Sequence, residues 1–376
     1  MEYGSRSTMQ NEPIRVLHVL QRMEAGGTQA LLMNLYRQID RSKVQFDFLV
    51  EYEEHQFYDD EIISLGGKIY RTSVREDKNI FKFISFLNHF FVDHPEYRIV
   101  HTHTYSVGYF VLKAAEQSGI PVRIAHSHSN KMSGKGVVIK KVMKKLYSLH
   151  ANELFACSKE AGRFLYGDKP FRVIRNAIQI DKFEYDPMMR LEMRKKLGYD
   201  DSDIVVGSVG RLHEQKNQVF LLEVFREILD RHKNAKLLLV GDGPNRDLIM
   251  HKADALGITS SMKLLSNRND VNEIYQAMDV FVLPSLYEGL GIAAIEAQVS
   301  GLPTFCSDGV AAEAKICELF SQMPLSIGPI LWADEIDGVW QQPRVGMGKA
   351  AKQSGFDISE SSTLLQQWYL NHWVNA

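Results

Sequence analysis

"IRVLHVLQRMEAGGTQALLMNLYRQI", residues Ile14–Ile39, changes its period part-way along. Ile14 to Leu20 is a short, mostly apolar run, the pattern of a strand buried on both faces. Gly26, Gly27 and Thr28 interrupt it, and Ala30, Leu31, Leu35 and Ile39 then recur at helical spacing. Strand, glycine turn and amphipathic helix make the first half of a βαβ unit. The pattern continues with "VQFDFLV", "KIYRTS", a phenylalanine-rich helix over 80–92, "RIVHTH", a helix over 107–118 and "VRIAHSHS". Such alternation predicts a doubly wound α/β domain on a parallel sheet.

The same rhythm restarts further on. "ELFACS" and "FRVIRN" close the first half as short strands. "DIVVGSVGRL" (203–212) opens a second series: a helix over 217–232, "AKLLLVGDGP", a helix over 244–255, "MKLLSN", a helix over 271–278, "VFVLPS", a helix around Glu296, and "LPTFCS". A chain of 376 residues is too long for one ordinary core. The expected division is a loose tail over 1–13, a Rossmann-like domain over 14–180, a second over 181–358, and a terminal helix over 359–376 ("STLLQQWYLNHW"). The fold class is α/β, with two Rossmann-like domains facing each other across a cleft. Ligands of such sheets bind beyond the carboxyl ends of the strands, so the informative residues should follow strands.

Composition excludes several classes. A net charge of −2 gives no reason to expect nucleic-acid binding. The cysteines, Cys157, Cys306 and Cys317, are odd in number and lack ligand spacing, which implies reduced thiols in a cytoplasmic protein. The polar start reads as no signal peptide, and no apolar run of about 18 residues exists to span a membrane. One segment stands apart. "KMSGKGVVIKKVMKKLY" (131–147) holds six lysines among apolar residues, Tyr147 included. It reads as a basic amphipathic helix lying on the anionic inner face of the membrane, or else as an ordinary solvated helix face.

Several strand exits carry chemistry. Gly26 and Gly27 fit either phosphate contact at a helix N-terminus or a turn that needs positive φ. The lack of G-x-G-x-x-G and of an acid closing the second strand argues against a nicotinamide-dependent oxidoreductase. His101, His103, His126 and His128 form two pairs at neighbouring strand ends, suited to holding phosphate or sugar oxygens, or to acid–base work. A histidine metal site is disfavoured because no carboxylate follows at ligand spacing. Arg211 and Lys216 follow the first strand of the second domain and suit a diphosphate, though solvated loop charges are the plain alternative. "VGDGP" fits ligand contact or a tight turn. Glu288 and Glu296 stand too close along one helix to flank a glycosidic bond from two sides. They could accept vicinal hydroxyls of one ligand. Alternatively, Glu288 caps the helix and Glu296 is ion-paired.

At these residues the chain resembles a known family. "HVLQRMEAGGTQALLMNLYR", "GRLHEQKN", "LLLVGDGPNRDLI" and "NRNDVNEIYQAMDVFVLPSLYEGLGIAAIEAQVSGLP" are similar to the retaining glycosyltransferases of family 4, which have the GT-B fold. The likeness is to the bacterial exopolysaccharide and capsule type, over roughly residues 14–310. It implies a first domain for the acceptor and a second for a nucleotide sugar. Glu296 would bind the ribose hydroxyls and Glu288 the donor sugar, with Gly289, Leu290, Gly291 and Ile292 between them in the donor site. Arg211 and Lys216 would hold the departing diphosphate, and Gly27 would offer its N–H. Asn267, Arg268 and Val271 would border the base. His126 would be the active-site histidine with His128 its competitor, while Gly26 and His103 would stand near sugar or acceptor. No D-x-D follows a strand, so neither metal nor other cofactor is expected. The family's "NGID" is replaced here by Asn176-Ala177-Ile178-Gln179, near the expected hinge, and the likeness thins beyond Glu313.

The expected function is transfer of a hexose or N-acetylhexosamine from a nucleotide sugar, a UDP-sugar first, to a lipid-linked saccharide. The alternatives are a nucleotide-sugar epimerase of the same fold and a non-catalytic saccharide-binding subunit.

Overall fold

The computed structural model describes residues 12–24, 26–129, 144 and 146–374. The chain divides into two compact units, Met1–Arg175 with Ile358–Ala376, and Asn176–Asp357.

Among the described residues, unit 1 holds a seven-stranded parallel sheet: β1 (Ile14–Leu20), β2 (Val44–Val50), β3 (Ile69–Arg71), β4 (Ile99–Thr102), β5 (Val122–Ser127), β6 (Glu153–Ala156) and β7 (Arg172–Val173). Their order is β3-β2-β1-β4-β5-β6-β7. Burial on both faces explains the near-continuous apolar runs of β1 and β2. One face packs Leu17, Val19 and Val100 against Leu87 and Val111 of the helices Ile80–Asp93 and Tyr105–Gln117. Each such side chain contributes about 1.5–3 kcal/mol by leaving water. The terminal helix Ile358–Val374 belongs to this unit and covers the other face, where Tyr369 meets Phe46 edge-on. Buried Asp47 of β2 is fully occupied by Arg15, the Tyr97 hydroxyl and the Lys68 N–H, the last two at 2.7 Å.

Among the described residues, unit 2 holds a six-stranded parallel sheet: β8 (Ile204–Val209), β9 (Ala235–Val240), β10 (Met262–Leu265), β11 (Val280–Leu283), β12 (Thr304–Ser307) and β13 (Phe320–Met323). The order is β10-β9-β8-β11-β12-β13. The ends of this unit are tied together, Ile178 donating its N–H to Phe356 O at 3.0 Å. Edge strand β13 escapes the sequence pattern because Ser321 and Gln322 interrupt its apolar side chains. In both units the winding reverses beside the first strand, between β1 and β4 and between β8 and β11. These switch points are where ligands of doubly wound sheets bind.

Most of the basic segment 131–147 lies outside the described residues. Its last residue does not serve a membrane face. Tyr147 is wholly buried in unit 1, donating its hydroxyl to Thr102 O at 2.8 Å. Gly108 makes room for the ring, since a Cβ there would come 2.5 Å from Tyr147 Cε2. No helix among the described residues is long and apolar enough to cross a membrane.

Candidate functional site

In unit 2 the chain leaves β8 through Gly210 and Arg211 and makes a tight turn over Glu214–Lys216 before the helix Gln218–Arg231. The Lys216 stem passes close over Gly210, where a Cβ would stand 3.2 Å from Lys216 Cε. Its ammonium forms an ion pair with Glu288, on the loop after β11. Ser285 donates to the same carboxylate oxygen at 2.7 Å. The two loops are sewn together: Leu286 N–H reaches Gln215 O at 2.8 Å, and Gln215 Nε2 reaches Tyr287 O at 2.9 Å. Glu288 donates its own N–H to Gly309 O at 2.8 Å.

Gly291, with φ of 89°, then starts the helix Ile292–Val299, and no side chain caps that helix. A residue with a Cβ would be strained in this left-handed conformation. Glu296 lies in this helix and accepts from the Tyr275 hydroxyl at 2.9 Å. Burial raises its carboxyl to about 7, although the Tyr275 bond and the field of Lys216 both pull it down. The bland expectation for the two acids is therefore reversed. Glu288 is the ion-paired one and caps nothing; Glu296 has no ion-pair partner among the described residues. A cation set between two acceptor carboxylates can bind an anion while holding hydroxyls on either side.

The other residues singled out in unit 2 divide into free and committed groups. Arg211 is exposed, and its guanidinium has no hydrogen bond or ion pair among the described residues. Asn267 is exposed beyond β10. Arg268 is folded onto Asp270, Nε to Oδ1 at 2.7 Å, and that bond lowers the Asp270 carboxyl. Val271 packs on the core beside Leu290, and Gly289 is also buried. The glycines of "VGDGP" are explained by backbone packing. A Cβ at Gly241 would meet Gly210 O at 2.1 Å, and one at Gly243 would meet Leu212 O at 2.3 Å.

In unit 1, Gly26 adopts extended backbone before the helix Gly27–Gln38, so positive φ is not what either glycine supplies. A Cβ on Gly27 would meet nothing within 4 Å, so the helix start is open to approach. The histidines converge. His18 of β1 joins the two expected pairs, giving His18 Nδ1 to His103 Nε2 at 3.0 Å and His103 Nδ1 to His128 Nε2 at 2.8 Å. His101 Nε2 meets His126 Nδ1 at 3.0 Å, and Tyr369 of the terminal helix meets His101 Nδ1 at 2.7 Å. The rings share one sheet face because strand residues two apart point the same way. Burial pushes every one of these imidazoles below its ordinary value, His18 and His128 to about 3, so all are neutral at pH 7. His126 is 3% exposed beneath the terminal helix, whereas His103 and His128 are half-buried beyond their strands. Sequence reasoning missed His18, Tyr275, Ser285 and Tyr369. A histidine inside the apolar run of β1 was the one available signal.

The model of the glycosyl transferases group 1 family matches residues 189–320, which contain Arg211, Lys216, Glu288 and Glu296. EpsF of Bacillus subtilis (strain 168), named as a glycosyltransferase, is 34% identical over 374 residues, 96% of this chain and 97% of that protein. An Escherichia coli UDP-Gal:alpha-D-GlcNAc-diphosphoundecaprenol alpha-1,3-galactosyltransferase is 33% identical over 230 residues, 57% of this chain and 58% of that protein. Among solved structures, Anabaena HepE in complex with UDP and glucose shares the fold at a TM-score of 0.71 and 17% identity, over 94% of this chain and 95% of that one. The two Rossmann-like units have the GT-B fold that the resemblance implied, where strand–helix alternation by itself gave only doubly wound α/β domains. With 34% identity sustained over 97% of EpsF, and the carboxylate–lysine site inside the matched span, the chain belongs to the group 1 glycosyltransferases.

Proposed function

We propose that the chain is a retaining, family 4 hexosyltransferase. It moves a hexose or N-acetylhexosamine from a UDP-sugar to a lipid-linked saccharide in exopolysaccharide or capsule synthesis. The observation that carries this reading is the Lys216–Glu288 ion pair with Glu296 beside it, at the switch point of unit 2. The choice of donor and acceptor class is supported by the name of the Escherichia coli relative.

Under this reading Glu296 accepts the ribose hydroxyls and Glu288 the hydroxyls of the donor sugar. Lys216 and the exposed Arg211 hold the diphosphate, which needs no divalent ion there. They stabilise the charge that develops as the bond from the sugar C1 to the phosphate oxygen breaks. The electron pair leaves with the diphosphate. The acceptor hydroxyl attacks C1 from the same face, and its proton passes to the departing phosphate oxygen. Asn267, Arg268 and Val271 border the base, Gly27 offers its N–H to the phosphates, and His126, His103 and His128 serve the sugar and acceptor. The basic segment 131–147, apart from its buried last residue Tyr147, brings the enzyme to the anionic membrane surface, so its sedimentation with anionic vesicles should weaken as salt rises.

The test is transfer from labelled UDP-hexoses to a polyprenyl-diphosphate-linked saccharide, with the product anomer read by NMR. Acceptor-dependent transfer that keeps the donor's anomeric configuration is expected. An inverted product would sink the retaining mechanism. Turnover of UDP-sugar to its epimer without acceptor would replace the transferase with an epimerase.

A further inference from the structure

Outside the donor site, the densest group of functional side chains is the histidine cluster of unit 1. It has more ring nitrogens than partners. Among the described residues, His18 Nε2, His126 Nε2 and His128 Nδ1 are buried without a hydrogen bond. Buried polar atoms are rarely left so; two of these three belong to the neighbouring His126 and His128, while both nitrogens of His103 are bonded, to His18 and to His128.

We propose that His103, His126 and His128 bind one divalent transition-metal ion of the zinc, nickel or copper kind. One ring nitrogen from each lies within 4.8 Å of the others. Tetrahedral zinc with bonds of about 2.0 Å sets its ligands about 3.3 Å apart, so the three rings must draw together and His103 must give up its bond to His18 or to His128 to offer a nitrogen. The His126 and His128 rings stack with centroids 4.1 Å apart, and each carries one of the free nitrogens.

The partners of the other nitrogens suit the task. A metal-bound histidine donates its second N–H to an acceptor that fixes the ring. His126 Nδ1 has His101 Nε2 in that position, and His101 Nδ1 passes the chain on to the Tyr369 hydroxyl. His103 and His128 are only half-buried, which gives an ion a way in. Donors that are all imidazole select borderline metals over magnesium or calcium. Three ligands leave a coordination position open to water or to a ligand oxygen. A second trio, His18, His101 and His103, shares only His103 with this one and lies deeper. The site lies in unit 1 and rests on the proposed function: the open position of the ion would take the sugar or acceptor oxygen that these histidines serve there, while the diphosphate grip of unit 2 needs no ion.

The experiment uses the full chain, untagged and stripped with a chelator. Co²⁺ is titrated while its visible d–d bands are followed, and Zn²⁺ is then added in competition. Saturation at one ion per chain is expected, with displacement by Zn²⁺ and a higher melting temperature in Zn²⁺. Both His103→Gln and His128→Gln should abolish it, each checked for folding by circular dichroism. If His103→Gln fails to fold, His128 decides. Absence of saturable binding to the wild type overturns the site, as does one-ion binding that survives His128→Gln.

Discussion

Units 1 and 2 put their polar side chains at the same place in the same topology, but with opposite electrical character. At the switch point of unit 2 stand a lysine, two carboxylates and an exposed arginine. At that of unit 1 stand histidines that burial keeps neutral. The parallel sheet fixes where a ligand meets the protein, and the residues just past β1, β4, β8 and β11 decide which ligand it is. Under the proposed function the charged site takes the diphosphate and the neutral site takes the saccharide.

The sharpest way to break this contrast is to remove the cation from unit 2. Lys216→Met leaves Glu288 with the Ser285 bond alone and takes away half of the diphosphate grip. Transfer should fall by about 10²–10³. Steady-state rates with saturating acceptor check it, and a loss below tenfold would place the grip elsewhere. In unit 1 the matching change is Tyr369→Phe. It leaves the buried His101 Nδ1 without its partner, at a cost of about 1–3 kcal/mol. Urea unfolding measures this, and an unchanged midpoint would show that the bond to His101 is unimportant.

Titration should separate the units by sign. The Glu296 carboxyl is raised from its ordinary 4.5 to about 7. Its protonated form is favoured in the folded state, so this contribution is full below 4.5 and is lost as pH rises through 7. The histidines are lowered from 6.5, two of them to about 3. Their contribution is full above 6.5 and is lost as pH falls below it toward 3. Acidification from pH 7 to 5 should therefore weaken hydrogen-exchange protection in unit 1 more than in unit 2. Equal loss in both units would remove the distinction. The smallest expected effect is structural. Arg211→Ala should shift stability by less than about 0.5 kcal/mol, because the side chain is exposed and unpaired among the described residues. A larger drop would mean that Arg211 supports the fold and is not held ready for a ligand.

The fold was legible because strands buried on both faces must be apolar. β1, β2, β8, β9 and β11 announce themselves as runs, and glycine marks the exits of β8 and β9. β13 was hidden by its polar residues. The site was legible in part. Spacing alone left the roles of Glu288 and Glu296 open, because the partner of Glu288 is 72 residues away. The resemblance, not periodicity, suggested their functions. His18 passed unremarked inside an apolar run, and Tyr369 lies 268 residues from the His101 it touches. Local pattern carries no trace of such pairings; only the sheet order brings them together.

The most direct test of the central claim, a donor site built on Lys216, Glu288 and Glu296, is calorimetric titration of UDP. GDP and ADP serve as comparisons, with and without Mg²⁺, on the wild type and on Glu296→Ala. UDP binding that is independent of Mg²⁺ and lost in the variant is the predicted result. Binding that the variant retains in full, or no binding of any of these nucleotides, would contradict it.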